Sequence, residues 1–134
     1  MVVEHGRALV LDAGAVTGLA RAQRSLRARV EAAWEAGADI CIPMVVIAET
    51  VRGNGPRDAR VNLVLAECAP YQVLDEATAR LAGALLAQAR SNATVDALVI
   101  AEALRRSPSV VLTADPTDLT ALLGARPGVI IEAI

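Results

Sequence analysis

Four acids occupy places where acids are costly. Asp12 closes the apolar run Leu9-Val10-Leu11, and Glu49 follows Ile42-Pro43-Met44-Val45-Val46-Ile47-Ala48. Asp96 falls in the first turn of an apolar helix, and Asp115 ends the run Val110-Val111-Leu112-Thr113. A carboxylate that gives up its water avoids apolar surroundings unless it is paired or holds a metal. Acids placed repeatedly at the ends of core elements are therefore expected to gather. Three or four gathered carboxylates repel one another, and protons neutralise them poorly at neutral pH. A hard divalent cation does so well, and an all-oxygen donor set selects Mg²⁺ or Mn²⁺. Such a centre suits phosphodiester hydrolysis, in which bound water is made acidic and the leaving oxygen is stabilised.

Each acid also has a purely structural reading. Asp115-Pro116 with Asp118 is a good helix start, which makes structure the better reading for Asp115 alone. Asp96 would gain from a helix dipole, Glu49 could pair with Arg52, and Asp12 could cap a helix at Gly14. Taken together the four are harder to explain this way, because their mutual repulsion would go unanswered.

The elements that must position these acids alternate. Strands are expected at Ala8–Leu11, Asp39–Ile42, Tyr71–Leu74, Val110–Thr113 and Gly128–Glu132. A helix follows from Ala13 or Gly14, and a longer one is read between an N-cap at Ser25 and a terminator at Gly37. Its apolar face is Leu26, Val30, Ala33 and Trp34, with Trp34 read as core. A helix from Met44 to about Arg52 ends at the turn cluster Gly53-Asn54-Gly55-Pro56. Further helices carry Val61, Val64, Leu65 and Cys68; run from an Asp75 cap to about Arg90; hold Asp96 after Ser91-Asn92; and start at Asp115. Alternation of this kind implies helices wound on a mainly parallel sheet. Ligands bind such sheets beyond the carboxyl ends of the strands, where strand order reverses. Asp12 and Asp115 follow carboxyl ends, so all four acids can share one crevice if their two strands are neighbours.

Composition narrows the chemistry. The 134 residues suit one domain, and their 54% hydrophobic content is almost wholly aliphatic, with no Phe, one Trp and one Tyr. The longest apolar stretch, Ile40 to Ala48, is broken by Pro43 and is too short to span a membrane. The early charges Glu4, His5 and Arg7 argue against a secretion signal. Cys41 and Cys68 read as reduced core thiols in a cytoplasmic protein. A net charge of −2 argues against nonspecific coating of nucleic acid. All the cations are Arg, and the absence of Lys excludes phosphate-binding loops, receiver domains and haloacid-dehalogenase-type phosphatases. Asp12-Ala13-Gly14-Ala15-Val16-Thr17-Gly18 does not form a dinucleotide fingerprint, and the single His5 leaves serine hydrolysis without a base.

Four runs carry a family likeness. They are Leu9-Val10-Leu11-Asp12-Ala13-Gly14-Ala15; Ile42-Pro43 with Ala48-Glu49-Thr50-Val51-Arg52-Gly53; Thr94-Val95-Asp96-Ala97-Leu98-Val99-Ile100-Ala101; and Val111-Leu112-Thr113-Ala114-Asp115-Pro116-Thr117-Asp118-Leu119. In this order and spacing the chain resembles a PIN domain, and within that family the small VapC-type ribonuclease toxins. The resemblance covers almost all of residues 1–134 as one domain. It implies a three-layer α/β/α fold with a mainly parallel sheet of about five strands. It also implies Mg²⁺- or Mn²⁺-dependent endoribonuclease activity on a structured RNA such as tRNA or rRNA, a VapB-type antitoxin partner and a homodimer.

Carried onto this sequence, the resemblance puts Asp12, Glu49, Asp96 and Asp115 at the catalytic and metal-binding positions, with Asp12 and Asp96 central. Thr113 supports a ligand, Asp118 reads as a helix-start acid, and Arg52 is the best candidate for RNA contact. The chain departs from many relatives at Gly14, where they carry Ser, and at Asn92-Ala93, where some carry another acid. A catalytically silent PIN-like scaffold that binds RNA or protein is the rival reading, and a PIN nuclease outside any toxin pair is a third.

Overall fold

The computed structural model describes residues 8–68 and 73–134. Strands β1 (Ala8–Leu11), β2 (Asp39–Cys41), β3 (Ser109–Thr113) and β4 (Val129–Ala133) form one parallel sheet in the order β2-β1-β3-β4. The centre is β1 against β3, with Val10 opposite Val111 and Leu11 opposite Leu112. Every residue of these two strands is buried, although successive side chains point to opposite faces. Both faces are therefore covered by helices, which explains why the central strands read as unbroken apolar runs.

One helical group is α1 (Ala13–Ala20) with α2 (Arg24–Glu35), α3 (Met44–Thr50) and α4 (Gly55–Glu67). The other packs α5 (Glu76–Ala89), α6 (Thr94–Arg105) and α7 (Pro116–Leu123) together. Leu9, Leu11, Ile42, Leu85, Ile100, Leu112 and Leu119 are the largest wholly buried side chains and join the two groups through the sheet. Each such side chain contributes about 1.5–3 kcal/mol by leaving water.

The chain reverses direction across the sheet between β1 and β3: β2 lies outside the one and β4 outside the other. The strands that end at Asp12 and Asp115 are thus direct neighbours, and the Asp12 N–H donates to the Leu112 carbonyl at 3.3 Å. The reversal point expected between these two strands is in place.

Several local expectations shift. The parallel sheet has four strands among the described residues, where about five were expected. Val73 and Leu74, half of the fifth, are exposed and belong to no strand, and Tyr71 and Gln72 lie outside the described residues, as does His5. Trp34 is 49% exposed, because Leu26, Val30 and Ala33 complete the buried stripe of α2 and Trp34 stands at its margin. α2 starts one residue before Ser25, with Gln23 at the N-cap position. Gly55 and Pro56 form the first turn of α4, capped by the Asn54 side chain, which accepts the Arg57 N–H at 3.0 Å. The Asp75 cap stands as expected, accepting the Thr78 N–H at 2.8 Å.

Candidate active site

Asp12 and Asp115 both follow strand ends, but their side chains have different duties. Asp12 caps α1, its Oδ1 accepting the Ala15 N–H at 2.9 Å. Asp115 holds the N-cap position of α7 yet makes no capping bond with its side chain. Its backbone N–H instead donates to the Thr113 hydroxyl at 2.8 Å, and Thr113 is wholly buried. The side-chain cap expected of Asp115 is therefore absent, although Asp115 and Pro116 still open α7 as the sequence suggested.

Close backbone packing brings these two ends together. A β-carbon at Gly14 would lie 2.6 Å from the Ala114 Cβ, a contact no side chain there could make without moving a strand end. Gly14 thus lets α1 settle on the Ala114 turn between Thr113 and Asp115. The departure from relatives that carry Ser has this steric reason. The sequence marked Gly14 only as a missing hydroxyl; the small residue opposite, Ala114, is the clue to its packing role.

Asp96 sits in the first turn of α6, partly buried. Burial pushes its carboxyl above the ordinary carboxylate range, and the charges of Glu49, Asp115, Asp118 and Asp12 push it further in the same direction, Glu49 most strongly. Five acids therefore share one electrostatic neighbourhood, with Asp96 at its centre. Asp118, in the first turn of α7, is raised as well, by a hydrogen bond and repulsion from Asp115. Both carboxyls thus stand at the start of α7, close enough to hydrogen-bond. Asp118 is accordingly a member of the cluster as well as a helix-start acid.

None of the five forms an ion pair with a described cation. Glu49 is exposed on the last turn of α3 and does not pair with Arg52. The Arg52 Nη1 donates to the carbonyls of Ala48 and Val51, each at 3.0 Å, and so covers the carboxyl end of α3. Three further Arg side chains are engaged elsewhere. Arg27 meets Glu67 at 2.7 Å and Arg29 meets Glu132 at 2.7 Å. Arg57 meets Asp58 at 2.7 Å.

Asp58 is a residue the sequence did not single out. It is 2% exposed, and its carboxylate accepts the N–H groups of Arg52 (3.0 and 3.2 Å) and Asn54 (3.1 Å) as well as the Arg57 guanidinium. Burial alone would raise its pKa, but these donors together hold it below the usual carboxylate value. The turn after Glu49 is tied down through this one side chain. The spacing from Asn54 to an acid in the first turn of α4 was the available signal.

The donor set is hard oxygen, negatively charged and without counter-charge, which fits a divalent cation chemically. Among the described residues no three acidic, His or Cys side chains converge closely enough to enclose an ion as their rotamers stand. Holding one requires side chains of the cluster to change rotamer. The cysteines offer no alternative chemistry: burial pushes Cys41 up to about 12 and Cys68 up to about 11, so both remain thiols.

The PIN domain model matches residues 9–119, which spans all five acids. The chain belongs to the PIN-domain family. PIN domains are nucleases, and they generally use divalent metal ions. In fold the chain is similar to one in the crystal structure of VapBC2 from Rickettsia felis bound to a DNA fragment from their promoter. The two share 14% identity over 95% of this chain and 98% of that one, with a TM-score of 0.74. No curated protein matches this PIN domain in sequence.

Proposed function

We propose that this PIN domain is a metal-dependent endoribonuclease and the toxin of a VapBC-type toxin–antitoxin pair. The observation that carries the reading is five acids gathered at the reversal point of the sheet with no cation among the described residues to answer them. Asp12, Glu49, Asp96 and Asp115 would hold Mg²⁺ or Mn²⁺, which when bound supplies an acidified water and a charge for the leaving oxygen. Asp12 and Asp96 stand on rigid ground, one tied into a helix cap and the other in the first turn of α6. Glu49 flanks them from the end of α3. Thr113 fixes the backbone at Asp115, and Asp118 stands beside it in the first turn of α7. Arg52, one helical turn beyond Glu49, faces solvent and can meet a phosphate of a structured RNA such as tRNA or rRNA.

The likeness to a VapBC complex supports a VapB-type antitoxin as partner; an Arg of that partner would be drawn to the same unanswered acids. A homodimer and a cytoplasmic location belong to this reading too. Among the described residues no helix is long and apolar enough to cross a membrane. The test is cleavage of purified total RNA by the wild-type chain and by Asp96→Asn, with Mg²⁺, with Mn²⁺ and with EDTA. Discrete fragments from the wild type alone, abolished by EDTA, are expected; equal cleavage by Asp96→Asn removes the assignment.

One observation favours a catalytically silent scaffold: no three donors converge as they stand. Saturable Mn²⁺ binding that depends on Asp12 separates the enzyme from the scaffold. A short upstream reading frame for an antitoxin separates a toxin from a free-standing nuclease.

A further inference from the structure

A groove of about 630 Å³ opens beside the acid cluster, between the turn that joins α5 to α6 and the flank of α7. Asp118 lines one end of it, and Arg90, Ser91 and Asn92 line the rest over an apolar floor that includes Ala93 and Leu122. Three features of this turn bear on what it takes. Eight Arg side chains are engaged by acids or carbonyls; the exposed Arg90 guanidinium, like those of Arg21, Arg24 and Arg60, has no partner among the described residues, and of these four it alone lines this groove. Ser91 Oγ accepts the Ala93 N–H at 3.0 Å, which leaves its hydroxyl hydrogen free to donate, and the Asn92 amide makes no bond to the described residues. Finally, Arg90 occupies the left-handed region, with φ 51 and ψ 46. The backbone there closes α5 as glycine normally does, with the Ser91 N–H donating to the Leu86 carbonyl at 3.0 Å. Ala22 shares this backbone region with φ 58, so the conformation alone selects nothing; it makes Arg90 a position that glycine can replace without strain.

We infer that this groove binds the phosphodiester backbone of single-stranded RNA beside the scissile bond, with Arg90 gripping a phosphate and Ser91 and Asn92 donating to its neighbours. The inference rests on the ribonuclease reading and extends it by giving the strand a direction: from the acids, past Asp118, toward the end of α5. The groove is polarised to suit this. Its acidic end is where a divalent cation would carry the reacting phosphate, and its cationic end is where the next phosphates need a partner. With one Trp and one Tyr in the chain, contact through phosphate is the mode that the composition leaves open.

The test uses a short fluorescein-labelled single-stranded RNA, with affinity read by anisotropy across a salt series in Mg²⁺. The chain carries Asp96→Asn so that cleavage does not intrude, and Arg90→Gly or Arg80→Gln is added. Arg80→Gln removes the same charge from the opposite end of α5, where Arg80 pairs with Glu76. Arg90→Gly is expected to weaken binding about fivefold, as loss of one exposed ion pair would. It should lower the salt slope by about 0.7, the share of one single-strand phosphate contact. Its Tm is expected to be equal to or above that of its parent, because glycine accepts this φ, so lost affinity is not lost structure. Unchanged affinity and slope in Arg90→Gly overturn the inference, and so does an equal loss in Arg80→Gln, which would mean bulk charge. The assay does not need cleavage, so its failure is distinct from failure of the wild-type chain to cut RNA.

Discussion

The two ends of the sheet treat acids in opposite ways. At the amino end of the strands a pocket of about 390 Å³ is lined by Ala8, Asp39, Asp75, Glu102, Arg105 and Arg106, among others. There Asp75 meets Arg105 at 2.6 Å and Glu102 meets Arg106 at 3.0 Å. Bonds from Thr78 and the nearby Arg105 hold Asp75 below the ordinary carboxylate range. At the carboxyl end Asp12, Glu49, Asp96, Asp115 and Asp118 have no such partners, and Asp96 and Asp118 are pushed up. The same helices serve both ends: α6 carries Asp96 in its first turn and Arg105 in its last. Position alone does not make an acid functional; apart from the exposed Asp39, the presence or absence of an answering cation is what separates the two sets. One end contributes to folding, whereas the other is held against its own repulsion and gains only when something positive arrives.

The largest effect expected from breaking this contrast is at Asp96. Asp96→Asn should lower RNA cleavage by more than about a hundredfold. It should also raise Tm at neutral pH, because a carboxyl whose folded pKa is raised opposes folding wherever it is charged, and that gain should fade as pH falls through the carboxylate range. Cleavage assays and melting curves across pH read both.

Gly14→Ser comes next. The clash with Ala114 should cost about 1–3 kcal/mol in denaturant unfolding and reduce cleavage, although it supplies the hydroxyl that many relatives carry. A stable, more active variant would contradict the packing account of that position.

Acid titration of stability sharpens the other side. Asp58 and Asp75 are held below their ordinary value of 3.8, so their contribution is present above it and is lost as pH falls through their folded pKa. Tm should therefore drop below about pH 4, and Asp58→Asn should lower Tm at neutral pH and flatten this drop. The smallest effect is expected at Arg80→Ala, whose i,i+4 partner Glu76 is exposed: about 0.5 kcal/mol or less, with cleavage unchanged.

Much of this arrangement was legible in the residues. The uninterrupted apolar runs at Leu9–Leu11 and Val110–Leu112 marked the two central strands, and the acids that follow them marked the edge that carries chemistry. Burial on both faces is what makes such runs readable. The stretch at Val73 and Leu74 was not legible in the same way: both are apolar yet exposed and in no strand, and short apolar runs do not reveal whether a partner strand is near. Trp34 failed as a core residue because helical spacing places it at the margin of a stripe that Ala33 already closes. The cation-free state of the five acids could not be read at all. Arg27, Arg29 and Arg57 find partners 40, 103 and one residue away, and only folding decides which acids are answered.

The central claim is that the acids at the carboxyl end of the sheet are unanswered until a divalent cation binds. It is tested most directly by the melting temperature of the wild-type chain, Asp12→Asn, Asp96→Asn and Asp58→Asn across a Mn²⁺ titration. A ligand that binds only the folded chain raises its stability, by about 2.7 kcal/mol at a hundred times its Kd. The account predicts a saturable rise in Tm for the wild type and for Asp58→Asn, and none for Asp12→Asn or Asp96→Asn. A wild-type Tm that Mn²⁺ does not move, or a rise that survives both Asp12→Asn and Asp96→Asn, would contradict it.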